Sequence, residues 1–157
     1  MIDKAQDRFS RAIDLALKVV TLGGQRSYMT RYVTTIGARI YLPSGWGERS
    51  PESRYVTLRH EAIHLAQFRR YGLAGTALIY LLPIFPIGLA WGRTMLEKEA
   101  YAETFRATAE VFGLDAARDP ALRAHVIAQF TGPAYGWMWP FRASLEHWID
   151  GVLAELS

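Results

Sequence analysis

The 157-residue chain contains no cysteine. A chain without thiols forms neither a disulfide framework nor a thiolate metal site, and it has no cysteine nucleophile. The absence of cysteine suits a reducing compartment. Any metal site in this chain must therefore be built from other side chains, of which histidine and the carboxylates are the usual choice.

Concentrated charge of one sign is also missing. The formal net charge is +3, and no run of five Lys or Arg residues occurs, because the arginines are interspersed with glutamates. Nucleic-acid-binding domains usually carry such basic clusters, so we predict no nucleic-acid partner. The mild positive charge is at least as compatible with a surface close to anionic lipid.

The N-terminus has no long apolar run. The segment from Met1 to Arg8 carries both charges before any apolar stretch begins, whereas a secretory signal needs a basic start followed by an apolar core. We therefore expect no signal peptide and a cytoplasmic protein. Hydrophobic residues make up 50% of the chain and charged residues 21%, which together with the length predicts a single globular domain over residues 1–157.

The pattern of apolar residues predicts an α+β domain that is mostly helical, with a short β-hairpin before the helix that starts at Ser50. The hairpin strands are Tyr32–Thr35 and Ala38–Leu42, joined by a tight turn at Ile36 and Gly37. The predicted helices run from about Asp3 to Thr21, from Ser50-Pro51 to Tyr71, from Arg93 to Phe112, from Pro120 onward, and from Ser144 to Leu156. Glycines at 72 and 113 mark the ends of two of these helices. The aromatic residues between 135 and 148 are expected to complete the core, or else to sit at a membrane interface.

The sequence His60-Glu61-Ala62-Ile63-His64 lies inside the second predicted helix. Histidines four residues apart project from the same face of a helix, so both imidazoles can reach one metal ion. Glu61 is then next to a metal-bound water, whose pKa falls to about 7, so that a carboxylate can take its proton. The five-residue motif is weak on its own. However, Val56, Ile63 and Gln67 share the stripe of the histidines, which predicts that the histidines face inward, where a metal would satisfy them.

A catalytic zinc usually has three protein ligands and one open position, so a third ligand is needed. The extended pattern HExxHxxGxxH fails, since Gln67 and Arg70 stand at its glycine and third histidine. Helical periodicity instead selects Glu97, which shares a face with apolar residues, whereas Glu99 shares a face with charged residues such as Glu103. A glutamate on an apolar stripe is costly unless it is paired or bound to a metal. We therefore predict Glu97 as the third ligand.

These residues resemble the gluzincin superfamily of zinc metallopeptidases, in which HExxH on one helix is completed by a glutamate on a second helix. The segment Glu97-Lys98-Glu99-Ala100-Tyr101 follows the family pattern of Glu-x-x-Ala and then Asp, except that tyrosine replaces the acid. The resemblance implies a small zincin-like domain that binds Zn²⁺ and hydrolyses peptide bonds with Glu61 as general base. In that family the acid hydrogen-bonds a metal-binding histidine, a role that Tyr101 could take only through its hydroxyl. An alternative alignment takes Glu99 as the ligand and Glu103 as the acid, but it requires the wet face of the helix to turn inward.

The resemblance further implies a peptide or protein substrate. The strand before the active helix would run along the cleft, and its free edge would hold an extended peptide by strand addition. The residues of this expected substrate-binding strand are Ala38, Arg39, Ile40 and Tyr41. A tyrosine or histidine elsewhere would stabilise the oxyanion. The candidates, which the sequence does not rank, are Tyr101, Tyr135 and His125.

The chain carries no charge from residue 71 to residue 92. Three arginines flank this stretch, Arg69, Arg70 and Arg93. It is long enough to cross a hydrocarbon core of about 30 Å, but a single crossing would place His64 and Glu97 on opposite sides of the membrane. Pro83 and Pro86 predict a break within it. We therefore favour a helical hairpin over residues 71–92 that packs largely on the body and returns Glu97 to His64, with peripheral membrane contact left as an open alternative.

Two other functions stay open on the sequence alone. In the first, the chain is a non-catalytic membrane-associated or partner-binding protein with an accidental HExxH, which predicts no bound metal. In the second, the metal is structural or regulatory, and replacing Glu61 leaves metal binding intact without any activity to lose. The sequence identifies neither the substrate nor the oligomeric state.

Overall fold

The computed structural model of the protein describes residues 1–7, 30, 32–81, 90–132 and 138–156. These residues are mostly helical and include a small three-stranded sheet, which confirms the predicted α+β class. The division of residues 1–157 into one domain stays a prediction, because part of the chain lies outside these ranges.

The sheet contains β1 (Ile2–Asp3), β2 (Thr34–Ile36) and β3 (Arg39–Leu42) in the order β1-β3-β2. Strands β2 and β3 form the predicted antiparallel hairpin. Its turn lies at residues 37 and 38, one residue later than expected, where Gly37 has a φ of 59° that suits a glycine.

Strand β1 pairs in parallel with β3, and it was not predicted. A helix was expected to begin at about Asp3, whereas Asp3 is in this strand; a pairing of two residues is too short to leave a periodic signal. The remainder of that predicted helix, from residue 8 to Thr21, lies outside the described residues. The fully buried Lys4 follows β1, and its Nζ donates to the carbonyl of Tyr32 and to Oγ1 of Thr34, each at 2.9 Å.

Helix α1 (Pro51–Leu81) begins as the sequence predicts. Oγ of Ser50 accepts a hydrogen bond from the backbone N of Ser53 at 3.1 Å, and proline occupies the first helical position. At Gly72 the backbone leaves the helical region with φ 70° and ψ 171°, so the predicted end at Tyr71 is confirmed. Helix α1 therefore has a first arm, residues 51–71, and a second arm, residues 73–81.

Helix α2 (Trp91–Phe112) runs back along α1 and ends before Gly113, as predicted. The close approach of the two helices depends on Gly92, where a Cβ atom would lie 2.5 Å from the carbonyl oxygen of Ile79. The parts of the expected hairpin that precede residue 82 and follow residue 89 lie side by side; residues 82–89 lie outside the described residues, so the hairpin over residues 71–92 stays a prediction. None of the helices in the described ranges is sufficiently long and apolar to span a membrane.

The described residues also contain a short 3-10 helix (Trp46–Glu48) before α1 and the helices α3 (Leu114–Ala117), α4 (Pro120–Thr131) and α5 (Arg142–Ala154). Helices α4 and α5 pack against each other and α5 packs against α2, with apolar side chains between the three helices. The buried members of this core are Tyr101, Ala102, Phe105, Val126, Ile127, Phe130, Met138, Leu145, Ile149 and Val152.

The aromatic tail contributes to this core in part. Met138 is buried, and Trp139 and Trp148 pack against the core, whereas Phe141 is exposed. Residues 135 and 137 lie outside the described ranges. Because α2 packs against both α1 and α5, the polar side chains that it presents to α1 are held in position.

Candidate metal centre

His60, His64 and Glu97 come together between the first arm of α1 and α2. The Nε2 atoms of the histidines are 3.3 Å apart, and each lies 3.9 Å from Oε2 of Glu97. The side chains are largely buried, with exposed fractions of 12% and 15% for the histidines and 3% for the glutamate. The three residues that the sequence selected therefore form one compact cluster.

The hydrogen bonds of Gln67 determine the tautomer of His64. The amide Nε2 of Gln67 donates to the carbonyl of Leu96 and to a carboxylate oxygen of Glu99, each at 2.9 Å. The opposite end of the amide, Oε1, is an acceptor and lies 2.9 Å from Nδ1 of His64. Nδ1 must therefore carry the proton, and the neutral ring presents a lone pair at Nε2.

His60 is held in the same way from α2. Its Nδ1 lies 3.0 Å from Oγ1 of Thr104, and this hydroxyl donates its own hydrogen to the carbonyl of Ala100 at 3.3 Å. The hydroxyl oxygen then accepts from Nδ1 of His60. Both histidines thus direct an unprotonated Nε2 into the cluster.

The third atom of the cluster, Oε2 of Glu97, is buried and has no hydrogen-bond partner among the described residues. The other oxygen of this carboxylate, Oε1, accepts from the hydroxyl of Tyr80 at 3.4 Å. Within the described part of the chain, three lone-pair atoms therefore converge with no donor between them. Such an arrangement is unfavourable for the protein alone and is satisfied by a cation.

Burial governs the ionisation of the cluster. Desolvation, reinforced by the neighbouring His64, lowers the pKa of His60 to about 3, so this ring is neutral. Desolvation also raises the pKa of Glu97, against the opposing effect of His64. A bound cation would reverse this preference, because it favours the ionised carboxylate and the neutral imidazole.

The donor atoms fit zinc in kind and in spacing. A point equidistant from three atoms separated by 3.3, 3.9 and 3.9 Å lies about 2.2 Å from each, close to the 2.0–2.2 Å of zinc bonds to nitrogen and carboxylate oxygen. Two imidazoles and one carboxylate are a common ligand set of catalytic zinc, although other divalent transition metals accept the same donors.

Glu61 lies next to the cluster and is 6% exposed. Its Oε2 accepts a hydrogen bond of 2.6 Å from Oγ1 of Thr35 on β2, so the sheet fixes the carboxylate of the helix. Burial raises the pKa of Glu61, against the opposing effects of His64, Thr35 and Lys4. The residue predicted to be the general base is thus a buried carboxylate with a raised proton affinity.

A cavity of about 460 Å³ opens beside His60 and Glu61. Threonines of α1 and α2 line it together with Val126 and His125 of α4. Tyr101 also lines the cavity, whereas Tyr135 lies outside the described residues. Two of the three oxyanion candidates therefore belong to the same cleft as Glu61.

Glu99 does not reach the cluster. It is exposed and accepts the hydrogen bond of Gln67, which agrees with the helical face predicted for it. Glu103 was expected on the same wet face, and for this residue the prediction was wrong. Its side chain is 13% exposed and forms an ion pair with Arg59 of α1, because the long arginine side chain extends over the edge of α2.

Residues other than Tyr101 bind the Nδ1 atoms of the two histidines. The ring of Tyr101 contacts the ring of His60 edge to face, with centroids 4.8 Å apart, whereas the Nδ1 atoms are bound by Thr104 and Gln67. Sequence reasoning assigned neither Thr104 nor Gln67 this role. The sequence does indicate that the two residues have partners, because both are polar residues on helix faces that are otherwise buried.

The expected substrate-binding strand also needs correction. Strand β3, which contains Arg39, Ile40 and Tyr41 and follows Ala38, is the central strand of the sheet. On one side β2 pairs with Arg39, Ile40 and Tyr41, and on the other side β1 pairs with Tyr41 and Leu42, so the edge expected to be free is occupied at Tyr41. The unpredicted strand β1 is the physical reason.

No family model, curated protein or solved structure matches this chain. The resemblance to gluzincins therefore depends on the motif residues alone. The geometry of the cluster, rather than a relationship to a known protein, supports a functional argument.

Proposed function

We propose that the protein is a zinc-dependent hydrolase that cleaves peptide bonds. His60, His64 and Glu97 would hold the metal, and Glu61 would act as the general base. The observation that supports this proposal is the convergence of two unprotonated Nε2 atoms and the buried Oε2 of Glu97, which has no partner among the described residues, at zinc-binding distances.

When bound, zinc would supply a Lewis acid that lowers the pKa of a coordinated water to about 7. The chain itself would supply the proton acceptor. Thr35 binds one oxygen of Glu61, which orients the carboxylate, and burial raises the pKa of Glu61, the direction that suits a general base. A carboxylate of this kind can take a proton from water and pass it to the leaving amine.

The cavity beside Glu61 would receive the substrate. Residues 32 and 33, immediately before β2, line it, and β2 is an edge strand of the described sheet. We therefore assign the cleft-lining role to β2 rather than β3. Of the oxyanion candidates we favour His125, because it is exposed at the cavity, whereas the ring of Tyr101 is packed between His60 and Phe130.

Metal content of the purified protein, measured by mass spectrometry, tests the proposal. Wild type should carry about one zinc per chain. Glu97→Gln should lose it, whereas Glu99→Gln, the matched control on the same helix, should retain it. Wild-type protein that takes up no metal even after zinc is added would refute the proposal, and loss of metal only in Glu99→Gln would reassign the ligand.

Glu61→Gln separates an enzyme from a structural or regulatory zinc protein. The variant should retain zinc and lose hydrolysis of a quenched fluorescent peptide library. Wild-type protein that binds zinc but cleaves no peptide in the library would favour the non-catalytic role. A cytoplasmic location stays a prediction that neither experiment addresses.

A further inference from the structure

The hairpin formed by the second arm of α1 and the start of α2 presents large apolar side chains to the solvent. We define the apolar hairpin as residues 71–81 and 90–95. Its exposed members and their exposed fractions are Tyr71 36%, Leu73 62%, Leu78 60%, Trp91 63% and Met95 42%. Single exposed apolar residues are ordinary, but a group of this size on one supersecondary element marks an interaction surface.

Charged and aromatic residues border the apolar hairpin in a definite order. Arg69 and Arg70 precede it and are exposed, and Arg93 lies inside it, two residues after the start of α2. Tyr71 and Trp91 stand at the two ends of the stretch that carries no charge. Along the chain from Arg69 to Arg93, arginines therefore lie outside two aromatic residues that bound an uncharged stretch, and this order of side chains is typical of a membrane interface.

The arms of the apolar hairpin are fixed to each other. Gly92 lies against the backbone of Ile79, and Nε of Arg93 donates to the carbonyl of Tyr80 at 3.1 Å. Because α2 returns alongside α1, and no described helix is suited to span a bilayer, contact with lipid would be peripheral. We propose that the apolar hairpin docks onto the surface of a bilayer that contains anionic lipid.

Charge complementarity favours lipid as the occupant. The exposed apolar residues lie on both helices of the hairpin, Leu73 and Leu78 on the second arm of α1 and Trp91 and Met95 on α2. A bilayer requires no directional hydrogen bonds from these side chains, and its anionic headgroups complement the exposed Arg69 and Arg70. A protein partner would instead be expected to meet polar groups among the apolar ones, and the stretch from residue 71 to residue 92 carries no charged residue.

The docked hairpin would hold the metal centre near the lipid. Tyr80 connects the second arm of α1 to Glu97, and Trp91 precedes Glu97 by roughly 9 Å along the helix axis. If the protein cleaves peptide bonds, as proposed above, its substrates would be proteins at the membrane surface; this inference rests on the proposed function.

Flotation with lipid vesicles tests the docking. The full chain is mixed with vesicles of phosphatidylcholine alone, and with vesicles of phosphatidylcholine and phosphatidylglycerol in equal amounts. Wild type should float with the anionic vesicles, and the double variant Leu73→Glu/Leu78→Glu should bind them at least about tenfold more weakly. Arg69→Gln/Arg70→Gln should weaken binding by about fivefold for each arginine removed.

Phe112→Glu is the matched control. Phe112 is 52% exposed and lies at the other end of α2, roughly 30 Å from Trp91, so its replacement should leave vesicle binding unchanged. Quenching of tryptophan fluorescence by brominated acyl chains gives a second readout, which should be largely lost in Trp91→Phe. Circular dichroism of each variant verifies that the fold is retained.

Three results would overturn the docking: no binding of wild type to anionic vesicles, equal binding of the Leu73→Glu/Leu78→Glu variant, or an equal loss in Phe112→Glu. Concentration-dependent dimers that Leu73→Glu/Leu78→Glu dissociates, without vesicle binding, would assign the surface to a second copy instead. Equal binding to neutral vesicles would refute the role of the arginines. Glu97→Gln should bind vesicles like wild type, so failure of the zinc site and failure of the docking are separate outcomes.

Discussion

Nδ1 of His64 donates a hydrogen bond to Oε1 of Gln67, one turn further along α1, at 2.9 Å. The same amide donates to Glu99 and to the backbone of Leu96 on α2. Gln67 therefore links a candidate metal ligand to the neighbouring helix and fixes the tautomer of that ligand. Glu99, the competing candidate for the third ligand, supports this arrangement from outside the cluster.

Replacing Gln67 by methionine should weaken zinc binding by about 10- to 100-fold, because the variant keeps the volume but removes the acceptor that orients His64. It should also destabilise the fold by about 1–3 kcal/mol, since the carbonyl of Leu96 loses a buried donor. Competition with a chromophoric chelator measures the affinity. Gln129→Met on α4 is the control and should bind zinc like wild type; an unchanged affinity in Gln67→Met would show that the amide does not position His64.

Thr104→Val tests the corresponding contact on His60. Valine has nearly the shape of threonine but cannot accept from Nδ1, so zinc affinity should again fall by about 10- to 100-fold. Thr108→Val is the matched control, because its hydroxyl donates to the carbonyl of Thr104 one turn away at 2.7 Å. Equal losses in the two variants would attribute the effect to general disturbance of α2.

Protons should compete with zinc for Glu97. Burial raises the pKa of this carboxyl above its ordinary value of 4.5, so the apo protein holds the proton to higher pH than a solvated glutamate does. His60, with a pKa of about 3, is already neutral and releases no proton. Zinc affinity should therefore rise with pH by about tenfold per unit until it reaches the raised pKa of Glu97, and level off above it.

Calorimetry measures this competition. Titrations at one pH in two buffers with different heats of ionisation give the number of protons released per zinc. A release that falls towards zero as the pH passes the raised pKa supports the assignment of Glu97. Proton uptake, or a zinc affinity that falls as pH rises below that pKa, would contradict it.

Helical periodicity was sufficient to place Glu97 inside and Glu99 outside, because burial on one face of an amphipathic helix is a local property of the sequence. Periodicity was not sufficient to predict the hydrogen bonds of Gln67 and Thr104. Gln67 donates to Leu96 on the neighbouring helix, and Thr104 accepts from His60 only when Nδ1 of that ring carries the proton. The parallel strand β1 escaped prediction for a related reason. Its two residues form a strand only through their pairing with β3, about forty residues away in the chain.

Gly92→Ala should separate the arms of the apolar hairpin. The new methyl group would lie 2.5 Å from the carbonyl oxygen of Ile79, and backbone atoms cannot yield as a flexible side chain can. The expected destabilisation is about 1–3 kcal/mol, and zinc affinity should fall because Glu97 lies on the displaced segment of α2. Urea denaturation and the chelator assay measure the two effects.

Gly151→Ala is the control for this substitution. Gly151 lies in α5, and a Cβ atom added there would meet no neighbouring group of the described residues within 4 Å. Alanine should therefore be neutral or stabilise the helix by up to about 1 kcal/mol. A stable Gly92→Ala variant with wild-type zinc affinity would show that the two arms can adjust without moving Glu97.

His125 should affect turnover without affecting the metal. It lines the cavity with Glu61 but belongs to α4, outside the metal cluster, so His125→Ala should retain zinc. If its imidazole stabilises the oxyanion, kcat should fall by about 10²- to 10³-fold with little change in KM, because the interaction forms only in the transition state. His147→Ala, which replaces an exposed histidine of α5, is the control. A larger loss of kcat in Tyr101→Phe than in His125→Ala would transfer the role to Tyr101, whose hydroxyl is the only group that substitution removes.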